Sequence, residues 1–398
     1  MKYYTLRYVL KTMLLIAAYS NVIASEMEHE QWLEANKSKI QSIFAENALD
    51  IRLNDYSTQS INSTNVGRKI FFDKRISKNG DKSCASCHQP NRLWTDGLQK
   101  PINGMFNTPT LIGANRLKWL FWDGRVIGLA NQAIHPMKNI NELGIDSRKL
   151  LYLMANEQEY NTAYRRQFGK LPDIECISNN EDLCENQLKV FQKNTGKLVA
   201  SFVASIPIPH TKFDTFLMDL QKGAKQSTFT TQNISGLRLF VEKGNCAACH
   251  NGNNLTDGQF HNVLVSETIG PGVFMPGRYL GLQTAKSSSD TEYLGLDAFE
   301  TFARAEISRA RFDSSLYGAF KTPTLRGLSC TSPYMHNGKF STLKDVLKHY
   351  SSFEDVISPE HHDDPLTKPR NFNEFEIKDL LSFLLTLSPT EDACDMKY

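Results

Sequence analysis

Residues 84–88 read Cys84-Ala85-Ser86-Cys87-His88. Two thiols separated by two small residues and followed at once by histidine suit covalent haem attachment: the sulfurs form thioethers with the vinyl groups, and the imidazole is carried beneath the iron. The same arrangement returns at Cys246-Ala247-Ala248-Cys249-His250. With 8 Cys and 10 His in 398 residues, chance supplies such a motif only about 0.004 times per chain. Two zinc half-sites would want further Cys or His at ligand spacing, and none follows closely. The expectation is a redox protein with two covalently bound haem c groups. Cys84, Cys87 and His88 would hold one of them, and Cys246, Cys249 and His250 the other.

The chain around these motifs is long enough for two domains with cores of their own, and 40% hydrophobic with 22% charged residues is ordinary globular composition. The first segment differs. Lys2, Arg7 and Lys11 precede the apolar run Thr12 to Ala24, which reads as a signal peptide over residues 1–25 and predicts export to the periplasm. Haem attachment and disulfides both belong to such a compartment. The run is shorter than the roughly 20 residues a spanning helix needs, so no membrane association is expected after cleavage. The first 24 residues hold three basic and no acidic side chains, so the formal charge of +2 (45 basic, 43 acidic) becomes −1 (42 against 43). That balance argues against nucleic acid as a partner. Of the four cysteines outside the motifs, Cys176 and Cys184 bracket a polar loop and are candidates for a local disulfide. Cys330 and Cys394 form a second possible pair, with two free thiols as the alternative.

Helical periodicity is expected over 26–48, 65–74, 126–134, 148–155, 159–168, 188–206 and 213–220, with a polar linker at 222–232. A helix from Ile234 then delivers the second motif as the 65–74 helix delivers the first, which suggests an internal duplication. The stretches 89–115 and 251–326 read as loops, the first punctuated by Pro90, Gly97, Pro101, Gly104, Pro109 and Gly113. Loops this long in a compact domain suit a chain wrapped around something large. Two helices close the sequence, 343–350 opened by Thr342 with Asp345 and 375–387 opened by Asn373 with Glu376, both resembling capping boxes. The predicted class is mostly α, with two cytochrome c-like haem domains and long loops. Their boundaries are read at 26–227 for the N-terminal domain and 228–398 for the C-terminal one.

The chain resembles the bacterial dihaem cytochrome c peroxidase and MauG superfamily over nearly all of the expected mature protein. The resemblance is carried by Cys84 to Gly97, Asn107-Thr108-Pro109-Thr110, Phe121-Trp122-Asp123-Gly124-Arg125, Gln132 with Glu142, Cys246 to His250, Thr322 to Arg326, and Thr331 to Gly338. It implies that the N-terminal haem, with His88 as its ligand, is the peroxide site, that the C-terminal haem is an electron-transfer group, and that Trp122 relays charge between them. Gln132 and Glu142 match the family's distal pair. Cleaving a peroxide O–O bond needs a proton moved from one oxygen to the other, which a carboxyl can do, so Glu142 is the expected acid-base and Gln132 the group that orients peroxide. Leu143 stands where methionine is expected. His135, one turn from Gln132, is expected to face solvent.

No histidine lies between His88 and His135, where reductively activated members of the family carry one. Gln99 occupies the aligned place, with Met105 nearby, so the first haem is expected to be open, as in MauG-like members. Tyr350 falls at the place of the second haem's sixth ligand, with Met275, Met335 and His349 as alternatives. An anionic phenolate there would stabilise the ferric iron. Asn107, Thr331 and Pro333 match the family's calcium site, and oxygen ligands suit that ion.

The reading is a periplasmic dihaem peroxidase that reduces hydrogen peroxide with electrons from a cytochrome c or cupredoxin. The alternatives are a MauG-like enzyme that oxidises a protein substrate and, from another class, a non-enzymatic dihaem electron carrier.

Overall fold

The computed structural model describes residues 27–46, 61–101, 104–173, 182–223, 228–265, 268–270, 273–292, 298–353, 368–389 and Cys394. The expected signal peptide and Cys176 lie outside these residues. In chain order the described residues form helices α1 (27–43), α2 (Ile61–Phe72), α3 (Leu129–Lys138), α4 (Ser147–Asn156), α5 (Gln158–Phe168) and α6 (Asp182–Ser205). They continue with α7 (Lys212–Lys222), α8 (Thr231–Val241), α9 (Arg278–Glu292), α10 (Ala298–Arg309), α11 (Leu343–Ser352) and α12 (Glu374–Leu385). Six short strands form three antiparallel pairs: β1 (Trp119–Leu120) with β2 (Val126–Ile127), β3 (Phe260–His261) with β6 (Phe320–Lys321), and β4 (Thr268–Gly270) with β5 (Val273–Phe274). The protein is mostly α with long loops, as predicted.

Two hydrophobic cores divide the helices. The first draws on α2, α3, α4, α5 and α6, with Ile70, Phe71, Leu150, Phe191 and Leu198 essentially inaccessible. The second draws on α8, α11 and α12, with Leu237, Leu380 and Phe383 at its centre. Trp32, Leu33, Ile40 and Phe44, from and just beyond α1, and Phe213, Phe216 and Leu220 of α7 also pack into this second core. They lie upstream of residue 228, so α1 and α7 cross over to the C-terminal half.

The helix before each motif crosses a helix of the same half at a glycine. A Cβ on Gly67 of α2 would stand 1.9 Å from the Leu198 carbonyl oxygen of α6, and one on Gly236 of α8 would stand 2.1 Å from that of Asp379 on α12. Only hydrogen fits at such contacts. Both closing helices start as expected. The Thr342 side chain accepts from the Asp345 amide, and Asn373 accepts from Glu376 while the Glu376 carboxylate accepts from the Asn373 amide.

The structure corrects two expectations. Val126 and Ile127 form a strand, and the helix starts after Gly128, whose φ is 85°. The stretch 251–326, expected as loop, contains α9 and α10. The inaccessible residues of these helices include Ala285 and Ala303 beside Leu282 and Ile307, so their packing faces lack the stripe of large apolar side chains that marks a helix in sequence. Cys330 and Cys394 are disulfide-bonded with Cα atoms 5.7 Å apart. Cys184 is disulfide-bonded as well. No helix among the described residues is long and apolar enough to cross a membrane.

Candidate active site

Each motif is a single 3₁₀ turn, Cys84–Ser86 in the first half and Cys246–Ala248 in the second. The histidine amide closes the turn on the first cysteine, His88 to the Cys84 carbonyl at 2.9 Å and His250 to that of Cys246 at 2.8 Å. Each imidazole is then fixed by its Nδ1, 3.0 Å from the Trp94 carbonyl in His88 and 3.1 Å from the Leu255 carbonyl in His250. With the Nδ1 proton directed at a carbonyl, Nε2 keeps the lone pair a metal ligand needs. Burial lowers both histidine pKa values, which favours that neutral form.

The loops after the motifs repeat a longer pattern. Thr110 donates its hydroxyl to the Leu93 carbonyl at 2.6 Å, and Thr324 does the same to Asn254 at 2.7 Å. The two accepting residues immediately precede those that hold the imidazoles. Thr108 bonds the Asp96 carboxylate, as Thr322 bonds that of Asp257. In both halves a glycine in the left-handed region follows, Gly113 (φ 67°) and Gly327 (φ 77°). The duplication thus extends from the motif through Thr-Asp-Gly to Thr-Pro-Thr-Leu-x-Gly, beyond the similarity apparent from the motifs alone.

The residues present fit haem c. All four motif thiols are free, in a chain that oxidises Cys330 and Cys394. Between the halves His336 is 3% exposed, and its Nε2 is buried with no hydrogen-bond partner. Lys321 is also buried, which pushes its ammonium down to about 8. Both are buried polar groups whose chemistry would suit haem propionates.

Trp122 joins the two halves. It is 8% exposed, and its Nε1 donates to the Asn107 carbonyl at 2.8 Å while its own carbonyl accepts from the Lys321 amide at 2.8 Å. Asn107 and Lys321 are the residues just before Thr108-Pro109-Thr110 and Thr322-Pro323-Thr324. Trp122 packs with Met275 and Phe320, and its ring centroid lies 6.4 Å from that of His336, which stacks on Phe320 at 3.6 Å. His336 lies within the Thr331 to Gly338 stretch that carries the family resemblance, which gave it no role of its own. The Tyr-Met-His-Asn-Gly string that holds it was the available signal.

Glu142 is half-buried in the turn after α3, its carboxylate accepting from the Asn139 side chain at 2.7 Å. Its charge reaches the first motif: burial first, then the Cys87 thiol and last the Glu142 carboxylate push the Cys84 thiol up to about 12, and burial, then Asp96 and Glu142, raise Cys87. Gln132 is half-buried on α3. His135, expected in solvent, is half-buried against Phe121, with ring centroids 5.6 Å apart. Gln99 is exposed and Met105 is 55% exposed.

Around the second motif Tyr350 is half-buried on α11. Burial, followed by the charges of Cys246 and Cys249, raises its phenol, which is thus within electrostatic reach of the motif. His349 is turned elsewhere, its Nε2 2.9 Å from the Val263 carbonyl. Met275 belongs to the Trp122 cluster, and Met335 is half-buried in a left-handed turn with φ 74°. Of the expected calcium ligands, Asn107 donates its side-chain amide to the Leu98 carbonyl at 2.8 Å and its backbone amide to the His336 carbonyl at 2.8 Å. The Asn107 loop is thereby joined to the loop that carries Thr331 and Pro333.

Two such motifs on 3₁₀ turns, in halves joined through one buried tryptophan, define a dihaem c-type redox protein. Comparison with known proteins makes the assignment specific. The family model described as di-haem cytochrome c peroxidase matches residues 62–222. The "Cytochrome-c peroxidase IdrP2" of Pseudomonas sp. (strain SCT) is 30% identical over 81% of this chain and 80% of its own length. The "Methylamine utilization protein MauG" of Methylophilus methylotrophus is 27% identical over 82% and 83%. Among solved structures, the diheme peroxidase BthA from Burkholderia thailandensis E264 superposes with a TM-score of 0.60 at 19% identity, over 83% of this chain and 87% of that one. The chain belongs to the di-haem cytochrome c peroxidase family, which includes MauG proteins, and it is an oxidoreductase of that class.

Proposed function

We propose that the protein is exported to the periplasm and reduces hydrogen peroxide at the His88 side with electrons from an external donor. The observation that carries this reading is the placement of Glu142, half-buried in the turn after α3 and within electrostatic reach of both thiols of the first motif. When bound, c-type haem supplies an iron centre able to exchange electrons with peroxide. His88, oriented by the Trp94 carbonyl, would hold that haem's iron through Nε2. Glu142 takes a proton from one peroxide oxygen and returns it to the other, so that the departing oxygen leaves as water. Gln132 orients peroxide through its side-chain amide.

Trp122 relays charge between halves whose Thr-Pro-Thr segments it joins. Tyr350 would hold the second haem's iron through its phenol oxygen, a role supported by the electrostatic influence of Cys246 and Cys249 on that phenol and by the engagement of His349 with Val263. Asn107, Thr331 and Pro333 would hold a calcium ion through oxygen atoms.

The donor is a small redox protein, a cytochrome c or a cupredoxin. Oxidation of a protein substrate, as in a MauG-like enzyme, is the second reading. It is favoured by Tyr350 and by the lack of histidine between His88 and His135.

The test is stopped-flow mixing of the dihaem protein with hydrogen peroxide. Wild type bleaches and shifts the haem bands, and Glu142→Gln slows the reaction by about 10²- to 10⁴-fold, the range of a lost acid-base group. An unchanged rate in Glu142→Gln removes its assigned role, and a wild type inert to peroxide removes the function.

A further inference from the structure

The Trp122 cluster does not end in the interior. Phe320 and Met275 flank Trp122, and each lies a few residues from an exposed tyrosine. Tyr317 precedes Phe320 by three residues and Tyr279 follows Met275 by four, so neither separation exceeds roughly 11 or 14 Å even in a fully extended chain. The two segments are bonded together, with the Gly318 amide on the Pro276 carbonyl at 3.2 Å and the Arg278 amide on the Ala319 carbonyl at 2.7 Å. At the surface the ring of Tyr279 lies 5.2 Å from that of Phe312 and 5.9 Å from that of Tyr317. Tyr279, Phe312 and Tyr317 are 37%, 46% and 40% exposed. Large aromatic side chains are usually more deeply covered than this, and here three of them form one group, two of its members within four residues of the Trp122 cluster along the chain.

We propose that Tyr279 and Tyr317 are redox-active and form the surface entry for the donor's electrons, an assignment that rests on the peroxidase reading above. Each transfer is one electron. A phenol of the pair gives an electron inward towards Trp122 and its proton to water, becoming a neutral phenoxyl. A one-electron donor touching the exposed rings returns the electron, and water returns the proton. Two such cycles supply the two electrons that peroxide, with two protons, consumes in forming two waters. The donor therefore need not enter the site near Gln132 and Glu142, and a reduced electron-transfer protein satisfies the requirement by surface contact.

The test is freeze-quench EPR of the dihaem protein mixed with one equivalent of hydrogen peroxide and no donor, followed by reduction with ferrocyanide as the probe. Wild type should give a tyrosyl radical. The Tyr279→Phe/Tyr317→Phe double variant, which keeps the ring packing and removes only the hydroxyls, should lose it and be reduced at least tenfold more slowly, with its haem bands responding to peroxide as in wild type. Tyr152→Phe, at an exposed tyrosine on α4, should change neither readout. Haem bands that respond to peroxide with no tyrosyl radical in wild type, or a radical and reduction rate retained in the double variant, would overturn the assignment and leave the peroxidase reading intact. Haem bands that do not respond at all would overturn both.

Discussion

The two motif histidines are each held by a short contact to the loop that follows. Nδ1 of His88 and of His250 faces a loop carbonyl, so each ring is oriented before any metal is bound. Tyr350 lies where its phenol and the Cys246 and Cys249 sulfurs share one environment. If Tyr350 is the sixth ligand, Tyr350→Phe should alter the low-spin ferric EPR signal and leave the high-spin signal unchanged, and an unaltered low-spin signal would remove it as ligand. The motifs were legible at this scale because a thiol spacing is a covalent requirement, independent of the fold. His336 was not, because a histidine's significance here depends on burial and on Phe320 stacking against it, which no local pattern encodes.

Among the elements, the two glycine crossings carry the duplication. α2 against α6 and α8 against α12 pack backbone to backbone at Gly67 and Gly236. Gly236→Ala places a methyl 2.1 Å from the Asp379 carbonyl oxygen, and overpacking of this kind costs about 3 kcal/mol. Thermal unfolding should show a drop in Tm, with Gly67→Ala behaving alike at its own crossing. The helices with large apolar stripes and clear caps, such as α12, were legible from sequence. α9 and α10 were not, because alanines contribute much of their packing contact, and a buried Lys193–Glu300 ion pair at 2.8 Å ties α10 to α6. A charged pair reads as surface in a sequence, and only its partner makes the interior tolerable.

At the scale of the whole molecule, the halves are not consecutive pieces of chain. α1 precedes the first core in sequence and packs into the second, as α7 does after it. Asp214 of α7 accepts two hydrogen bonds from the buried Arg326 guanidinium, both 2.9 Å long. Burial alone would raise the Asp214 carboxyl, but the Arg326 hydrogen bonds and charge outweigh it and hold the carboxyl below its usual 3.8. A depressed folded value means that this stabilisation is fully present above pH 3.8 and is lost as the pH falls through the lower folded pKa. Asp214→Asn should cost about 3 kcal/mol at neutral pH, as the loss of one partner of a buried pair does, and should remove that part of the acid dependence of the melting temperature. The sequence by itself determined the two haem motifs, the mostly helical class, the capped closing helices and the string of residues that resembles the peroxidases. Each of these is a covalent or nearest-neighbour requirement, written within a few residues. The tertiary structure alone decided which core each helix joins, that Trp122 connects both Thr-Pro-Thr segments, and that the Glu142 charge reaches the first motif. Those facts depend on contacts between residues tens to hundreds of positions apart, and periodicity and spacing carry no information about them.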